Sequence, residues 1–392
     1  MLVTNLTKTG ITICLLSCII IFAACKKENN AGNNEPAAEA LAALNLIANP
    51  LNYSNQPLPV FFNAPNITGQ INTTAANPTT DWGATLGRVL FYDKTLSINN
   101  TIACASCHKQ EIAFTDNAVV SKGFNNGSTG RHSMSLINAV YYPDKRFFWD
   151  ERAATLEDQV LTPIQDAVEM GMRLDTLINR LNRTAHYPYL FGKAFTDKTI
   201  TADRIAKALA QFTRSIISYQ SKFDTGRSQI LPPNNPVLTP YANFTASENR
   251  GKALFFGPQT ACATCHGTDV FTAPKAENNG LEAVIVDKGV GGITTNTVDI
   301  GKFKVPSLKN IELTAPYMHD GRFATLEQVI EHYNSGIQLN NNLPPQLRAA
   351  PPSMQARQLN LSQQDKADLL AFLKTLTDRK ITTDTRFSNP FK

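Results

Sequence analysis

Two short runs, "CASCH" at 104–108 and "CATCH" at 262–266, hold four of the seven cysteines in the chain. Each sets two thiols three positions apart with an imidazole directly behind. In an oxidising compartment such a pair could close as a disulfide, or supply half of a zinc site. Zinc needs its ligands arranged around a tetrahedral ion, and a histidine adjacent to the second cysteine is badly placed to join both sulfurs there. A redox-active dithiol has no use for the histidine. Cys-x-x-Cys-His is the attachment pattern of c-type haem, in which two thioethers hold the porphyrin and the next imidazole reaches the iron. This reading gives Cys104, Cys107 and His108 to one haem and Cys262, Cys265 and His266 to a second.

The elements around the two runs are copied as well. "GRVLFYD" precedes the first motif and "GKALFFG" the second; "SLIN" (135–138) leads to "DERAATLEDQV" (150–160), and "SLKN" (307–310) leads to "DGRFATLEQVI" (320–330). Three motifs in one order describe a duplicated haem domain. The pattern is helical. Residues 202–218 put Ile205, Leu209, Phe212 and Ile216 on one face, and residues 361–378 do so with Leu369, Leu370, Leu373 and Leu376 behind a Ser362 N-cap. Thr325 and Gln328 form a capping box. Strand-like alternation is scarce, and the Pro/Asn-rich 230–240 reads as a linker.

Duplication permits a comparison. Eight residues beyond Thr155 stands Pro163, and eight beyond Thr325 stands Tyr333. Tyrosine can ligate iron and proline cannot. The first haem is therefore expected to keep an open distal face and the second to be closed on both sides, with Met318, near in sequence, as the rival to Tyr333.

The N-terminus bears on where this chemistry takes place. One lysine, an apolar run from Ile11 to Ala24 and a small-residue pair before Cys25 read as an export leader, too short to span a bilayer comfortably. Ala23-Ala24-Cys25 resembles a lipoprotein processing site, which predicts a lipid anchor on Cys25 and residence on the periplasmic side of a bacterial membrane. Cys14 and Cys18 depart with the leader, so no cysteine is left for a structural disulfide. A formal net charge of +5 with no basic block excludes nucleic acid as the expected partner. The predicted organisation is a leader at 1–24, a tether and irregular segment at 25–75, a haem domain at 76–229, the linker at 230–240, a second haem domain at 241–380 and a tail at 381–392.

"LGRVLFYDKTLSINNTIACASCH", "FFWDERAATLEDQVLTPIQDAVEMG" and "VPSLKNIELTAPYMHDGRFATLEQVIEHYNSG" resemble the di-haem bacterial cytochrome c peroxidases and their relatives, the methylamine-utilisation (MauG-like) enzymes. The resemblance runs from about Leu86 to Leu376. It implies an all-α pair of cytochrome c-like domains, a peroxidatic N-terminal haem, an electron-transferring C-terminal haem, a tryptophan between them and a calcium ion near the interface. Trp149 matches the inter-haem tryptophan; a plain core aromatic is the alternative. Glu169 matches the distal acid–base carboxylate, and Gln159 and Pro163 the wall of the distal pocket.

Departures are equally informative. Where the classical peroxidases carry a distal histidine that must swing away, this chain has Phe124, so the first haem is expected to be five-coordinate when ferric. Tyr333 stands where the classical methionine ligand does, as in the MauG-like enzymes. Thr314 and Pro316 match carbonyl ligands of calcium, but His132 replaces the usual asparagine, and imidazole suits a hard cation poorly. The expected function is reduction of hydrogen peroxide, with electrons from a small periplasmic cytochrome c or cupredoxin. The alternatives are a MauG-like oxidase acting on a protein or organic substrate, and a non-catalytic membrane-tethered electron carrier.

Overall fold

The computed structural model describes residues 39–47 and 49–392; the leader and Cys25 lie outside them. Among the described residues regular structure is helical, and extended pairing is limited to isolated bridges. Four helices of the N-terminal half recur in the C-terminal half. They are α1 (Asp81–Tyr92), α2 (Cys104–Cys107), α3 (Leu156–Gln165) and α4 (Ala202–Ser215), then α5 (Ala246–Phe256), α6 (Ala263–His266), α7 (Leu326–Glu331) and α8 (Gln363–Lys374).

Each half is built on one helix crossing, α1 on α4 and α5 on α8, and the duplicated sequence explains both. A Cβ on Gly87 would fall 2.0 Å from the Ala208 carbonyl oxygen, and one on Gly251 1.9 Å from that of Asp368. The glycine that opens each copy of the repeat therefore lets two backbones touch. Four residues later Phe91 meets Phe212 with ring centroids 5.1 Å apart, and Phe255 meets Phe372 at the same 5.1 Å. The helices start as their caps require: Thr80, Thr155, Thr201, Thr245, Thr325 and Ser362 each accept a backbone N–H of the first turn. The Thr325–Gln328 box is closed from both sides, at 3.3 and 3.2 Å.

The residue after each glycine is a buried cation. Lys252 donates to the carbonyls of Pro236, Val237 and Thr239 at 2.8, 2.7 and 3.0 Å, fastening the linker segment to the C-terminal half. Arg88 donates through Nη1 to the carbonyls of Thr385 and Arg386 at 2.7 and 3.2 Å. Residues 381–391 accordingly fold back onto the N-terminal half. There Phe387 is fully buried, Tyr92 donates to its carbonyl at 2.6 Å, and Leu44 pairs with Phe391.

Two helices are shorter than their apolar periodicity predicts. α4 stops at Ser215 because the carbonyl of Ile216 accepts from Asn138 N–H at 2.9 Å, and the amides of Tyr219 and Gln220 turn to the Asp378 carboxylate at 3.2 and 3.0 Å. α8 stops at Lys374, yet Leu376 beyond it stays fully buried. Tertiary partners take the backbone groups while the apolar face continues.

The halves are joined by backbone and by charge. His132 N–H donates to the His319 carbonyl and Lys304 N–H to that of Trp149, both at 2.8 Å. Arg131 grips Asp287 through two nitrogens at 2.8 Å and Asp150 through a third at 2.6 Å.

Candidate functional site

His108 and His266 close their short helices in matching ways. Nδ1 of His108 lies 3.0 Å from the Phe114 carbonyl and Nδ1 of His266 2.9 Å from that of Phe271. A proton on Nδ1 directed at a carbonyl leaves Nε2 with its lone pair, as a proximal ligand requires. Neither Nε2 has a hydrogen-bond partner among the described residues. Burial lowers both imidazoles below the ordinary range, His266 to about 4, against the pull of the carbonyl. Cys104, Cys107, Cys262 and Cys265 are free thiols, half-buried. Among the described residues no three of His, Cys, Asp and Glu gather as a metal site. Paired free thiols with a neutral imidazole whose outer nitrogen is unused fit a c-type haem at each motif.

A cavity of about 410 Å³ opens beside His108 and reaches the interface between the halves. Gln159 and Pro163 of α3 line it, with Glu169 from the following loop and Trp149 from the interface. A smaller cavity shares His108, Gln159, Pro163 and Glu169. The expected distal residues of the first motif are thus brought together on one wall. Burial raises the Glu169 carboxyl to about 6, Asp166 adds to the rise and Arg152 opposes it. The loop that carries Glu169 is held by its backbone. Glu169 N–H donates to Asp166 at 3.1 Å, and its carbonyl accepts from Phe124 N–H at 3.0 Å. The Phe124 ring lies over Gly171 (φ +62°), where a Cβ would come within 2.6 Å of it.

Trp149 and Met318 lie on matching loops, Phe147–Ala153 and Tyr317–Phe323. Each is closed by an antiparallel bridge, with positive φ at Phe148 (70°) and Met318 (75°) and again at Glu151 (57°) and Gly321 (67°). In this register Trp149 corresponds to His319, and the two meet across the interface with ring centroids 6.5 Å apart. Trp149 Nε1 donates to the His132 carbonyl at 2.8 Å, and His319 stacks on Phe303 at 3.7 Å. Sequence reasoning missed His319, although aligning the two "D-x-R" loops one residue upstream would have found it.

Tyr333 occupies a π-helical turn, His332–Gly336, that continues α7. Such a turn inserts one residue and re-aims the side chains that follow. Burial, reinforced by the nearby sulfurs of Cys265 and Cys262, pushes the Tyr333 phenol above its usual range, while a hydrogen bond from Asn279 acts the other way. Tyr333 packs against the same hydrophobic cluster as Cys262 and Ala263 of the second attachment motif. Asn279 was not singled out from sequence; its Nδ2 also lies 3.4 Å from Met318 Sδ. Tyr333 and Met318 therefore share one neighbour. Thr314 and Pro316 lie on the segment leading into the Tyr317–Phe323 loop, with Thr314 buried. Both nitrogens of His132 are engaged within its own half, at 3.0 Å from the Ala118 carbonyl and 3.3 Å from Thr115 Oγ1, so it offers a cation no lone pair.

Two family models match the chain. The di-haem cytochrome c peroxidase (MauG) family matches residues 82–229, and the cytochrome c family matches residues 248–377. The chain is 32% identical to the methylamine utilization protein MauG of Methylophilus methylotrophus over 84% of its own length and 92% of that protein. To the cytochrome c551 peroxidase of Nitrosomonas europaea it is 33% identical over 75% of this chain and 79% of the other. The solved structure of a MauG-like protein associated with microbial copper homeostasis superposes with a TM-score of 0.71 at 34% identity, covering 86% of this chain and 99% of that one. With two haem-attachment motifs on a duplicated helical frame, the chain belongs to the di-haem cytochrome c peroxidase/MauG family, a family of di-haem oxidoreductases that carry c-type haems.

Proposed function

We propose that the chain reduces hydrogen peroxide to water beside His108, using electrons that enter through the half that carries His266. The observation that carries this reading is the unequal furnishing of the two copies. Beside His108 stand a proline, a glutamine and a glutamate around open space; beside Cys262 and Cys265 stands a tyrosine.

Bound haem supplies the redox chemistry at both motifs. The protein's part is to bind, orient and move protons. Glu169 sits over the cavity with its carboxyl poised near 6, where it can accept a proton from incoming peroxide and return it to the departing oxygen. Gln159 offers an amide to orient the peroxide. Pro163, with no N–H and no ligating atom, keeps the face clear. Trp149, fixed by its Nε1–H bond to His132, fills the space between the two sites. Of Tyr333 and Met318, the phenol, packed with Cys262 of the second attachment motif, would be the one to hold the second haem's iron.

Steady-state turnover of peroxide by the holoprotein, with a reduced small cytochrome c or cupredoxin as donor, tests the proposal. Turnover well above that of free haem is expected, and turnover no faster than free haem overturns it. Cyanide binding to the ferric protein as isolated is also expected; a carrier with two closed haems would bind none. A second reading, oxidation of a protein or organic substrate in the manner of the MauG-like relatives, is favoured by Phe124 and Tyr333. It is separated from the first by whether a substrate side chain, rather than a cytochrome, supplies the electrons. We also infer export and lipidation at Cys25, which mass spectrometry of the membrane-fraction protein would detect.

A further inference from the structure

We propose that a small oxyanion, a carboxylate or a phosphate, binds at Arg88 in a pocket on the far side of α1, apart from either haem-attachment motif. Arg88 is 3% exposed, and among the described residues it has no acidic partner within salt-bridge distance. A guanidinium taken out of water is ordinarily matched by an anion. One nitrogen, Nη1, serves the tail carbonyls of Thr385 and Arg386. Nε is buried without a partner, and among the described residues Nη2 makes no hydrogen bond. The Nε–Nη2 edge is the planar fork that takes two oxygens of a carboxylate or phosphate.

A second buried group lies nearby. Thr85, one turn earlier on α1 and 4% exposed, has a buried hydroxyl whose neighbour is the Tyr53 phenol, itself committed to the Arg386 carbonyl at 2.6 Å. Both residues line one cavity of about 310 Å³, together with Asn45, Ser388 and Asn389. Buried polar atoms without partners are few in native proteins, and a buried guanidinium edge left unmatched beside a cavity of mixed polar and apolar lining calls for a ligand. The duplicated half supplies the control. Lys252, at the matching position, uses three donors on three carbonyls, so tying down a neighbouring segment requires no arginine. The first copy holds a side chain with more donors than that task employs.

The test uses the holoprotein in chloride buffer at constant ionic strength, titrated separately with succinate and with inorganic phosphate, and followed by calorimetry and thermal midpoint. Saturable binding with a rise in midpoint is expected for at least one of them, since a ligand of the folded state stabilises it; the two arms identify which oxyanion is preferred. Arg88→Lys keeps the charge and the carbonyl bonds, as Lys252 does, but loses the fork. It is expected to fold and to bind roughly tenfold or more weakly. Thr85→Val, which leaves Arg88 and the tail in place, is expected to weaken binding as well and decides the matter if the lysine variant does not fold. No saturable binding of either anion, or binding that neither substitution weakens, overturns the proposal and leaves ordered water in the pocket.

Discussion

A single carboxyl sets the pH behaviour expected of the first site. Glu169 must be ionised to accept a proton from peroxide, and burial has raised its carboxyl to about 6. Peroxide turnover should therefore fall as the pH drops through about 6, and Glu169→Gln should abolish that limb while lowering kcat/KM by roughly 10²–10⁴-fold. A limb that survives in the glutamine variant would assign the proton to another group. The sign for stability is the reverse. With its folded value above the ordinary 4.5, Glu169 contributes stability that is full below 4.5 and lost as pH rises through about 6. At the second site Tyr333→Met should raise the reduction potential by on the order of 100 mV, because a thioether favours ferrous iron more than an oxygen anion does. Cyanide binding beside His108 should not change. An unmoved potential in redox titration would point to Met318 as the resident ligand. The Pro163–Tyr333 contrast was legible because duplication gave each residue a counterpart at a fixed count from a threonine. Asn279 was not, since it approaches Tyr333 from a segment more than fifty positions away in the chain.

Helices cross where their glycines allow it, and this level was the most legible in the sequence. The caps, the apolar faces and the repeated glycine all have local signatures. Gly87→Ala or Gly251→Ala would force a Cβ into a carbonyl at 2.0 or 1.9 Å and should cost about 2–3 kcal/mol by denaturant titration of the holoprotein. Gly130→Ala, with nothing within 4 Å of the added carbon, should stay within about 0.5 kcal/mol. Equal effects at Gly87 and Gly130 would mean that the crossing adjusts freely. What sequence could not supply at this scale is where a helix yields to a tertiary acceptor. Ile216 continues the apolar face of α4, but Asn138 and Asp378 claim the backbone around it. The π-turn at His332–Gly336 has no compositional mark either, since it arises from how α7 meets Asn334 and the 359–361 segment, whose amides bond back to that turn at 2.9 Å.

Seen whole, the molecule is two copies of one unit that are not closed in the same way. The C-terminal half is sealed by the linker through Lys252, a contact over a short stretch of chain; the N-terminal half is sealed by residues 381–391. Truncation after Lys380 should therefore loosen the half that carries His108 and leave the other intact. Hydrogen exchange would show lost protection in α1 and α4 but not in α5 and α8, and uniform loss, or none, would contradict this. Phe387→Ala should reproduce part of the effect at about 3–5 kcal/mol. The sequence offered no hint of this docking, because a short tail of mixed composition gains its meaning from surfaces several hundred positions earlier.

The docking of residues 381–391 also fixes an order of events during synthesis. The half that emerges first lacks its closing strap until the second half has followed, whereas the later half has its linker contact almost as soon as it emerges. The segment holding Cys104, Cys107 and His108 thus has the longest interval in an unfinished form, with its thiols still within reach of whatever attaches the porphyrin.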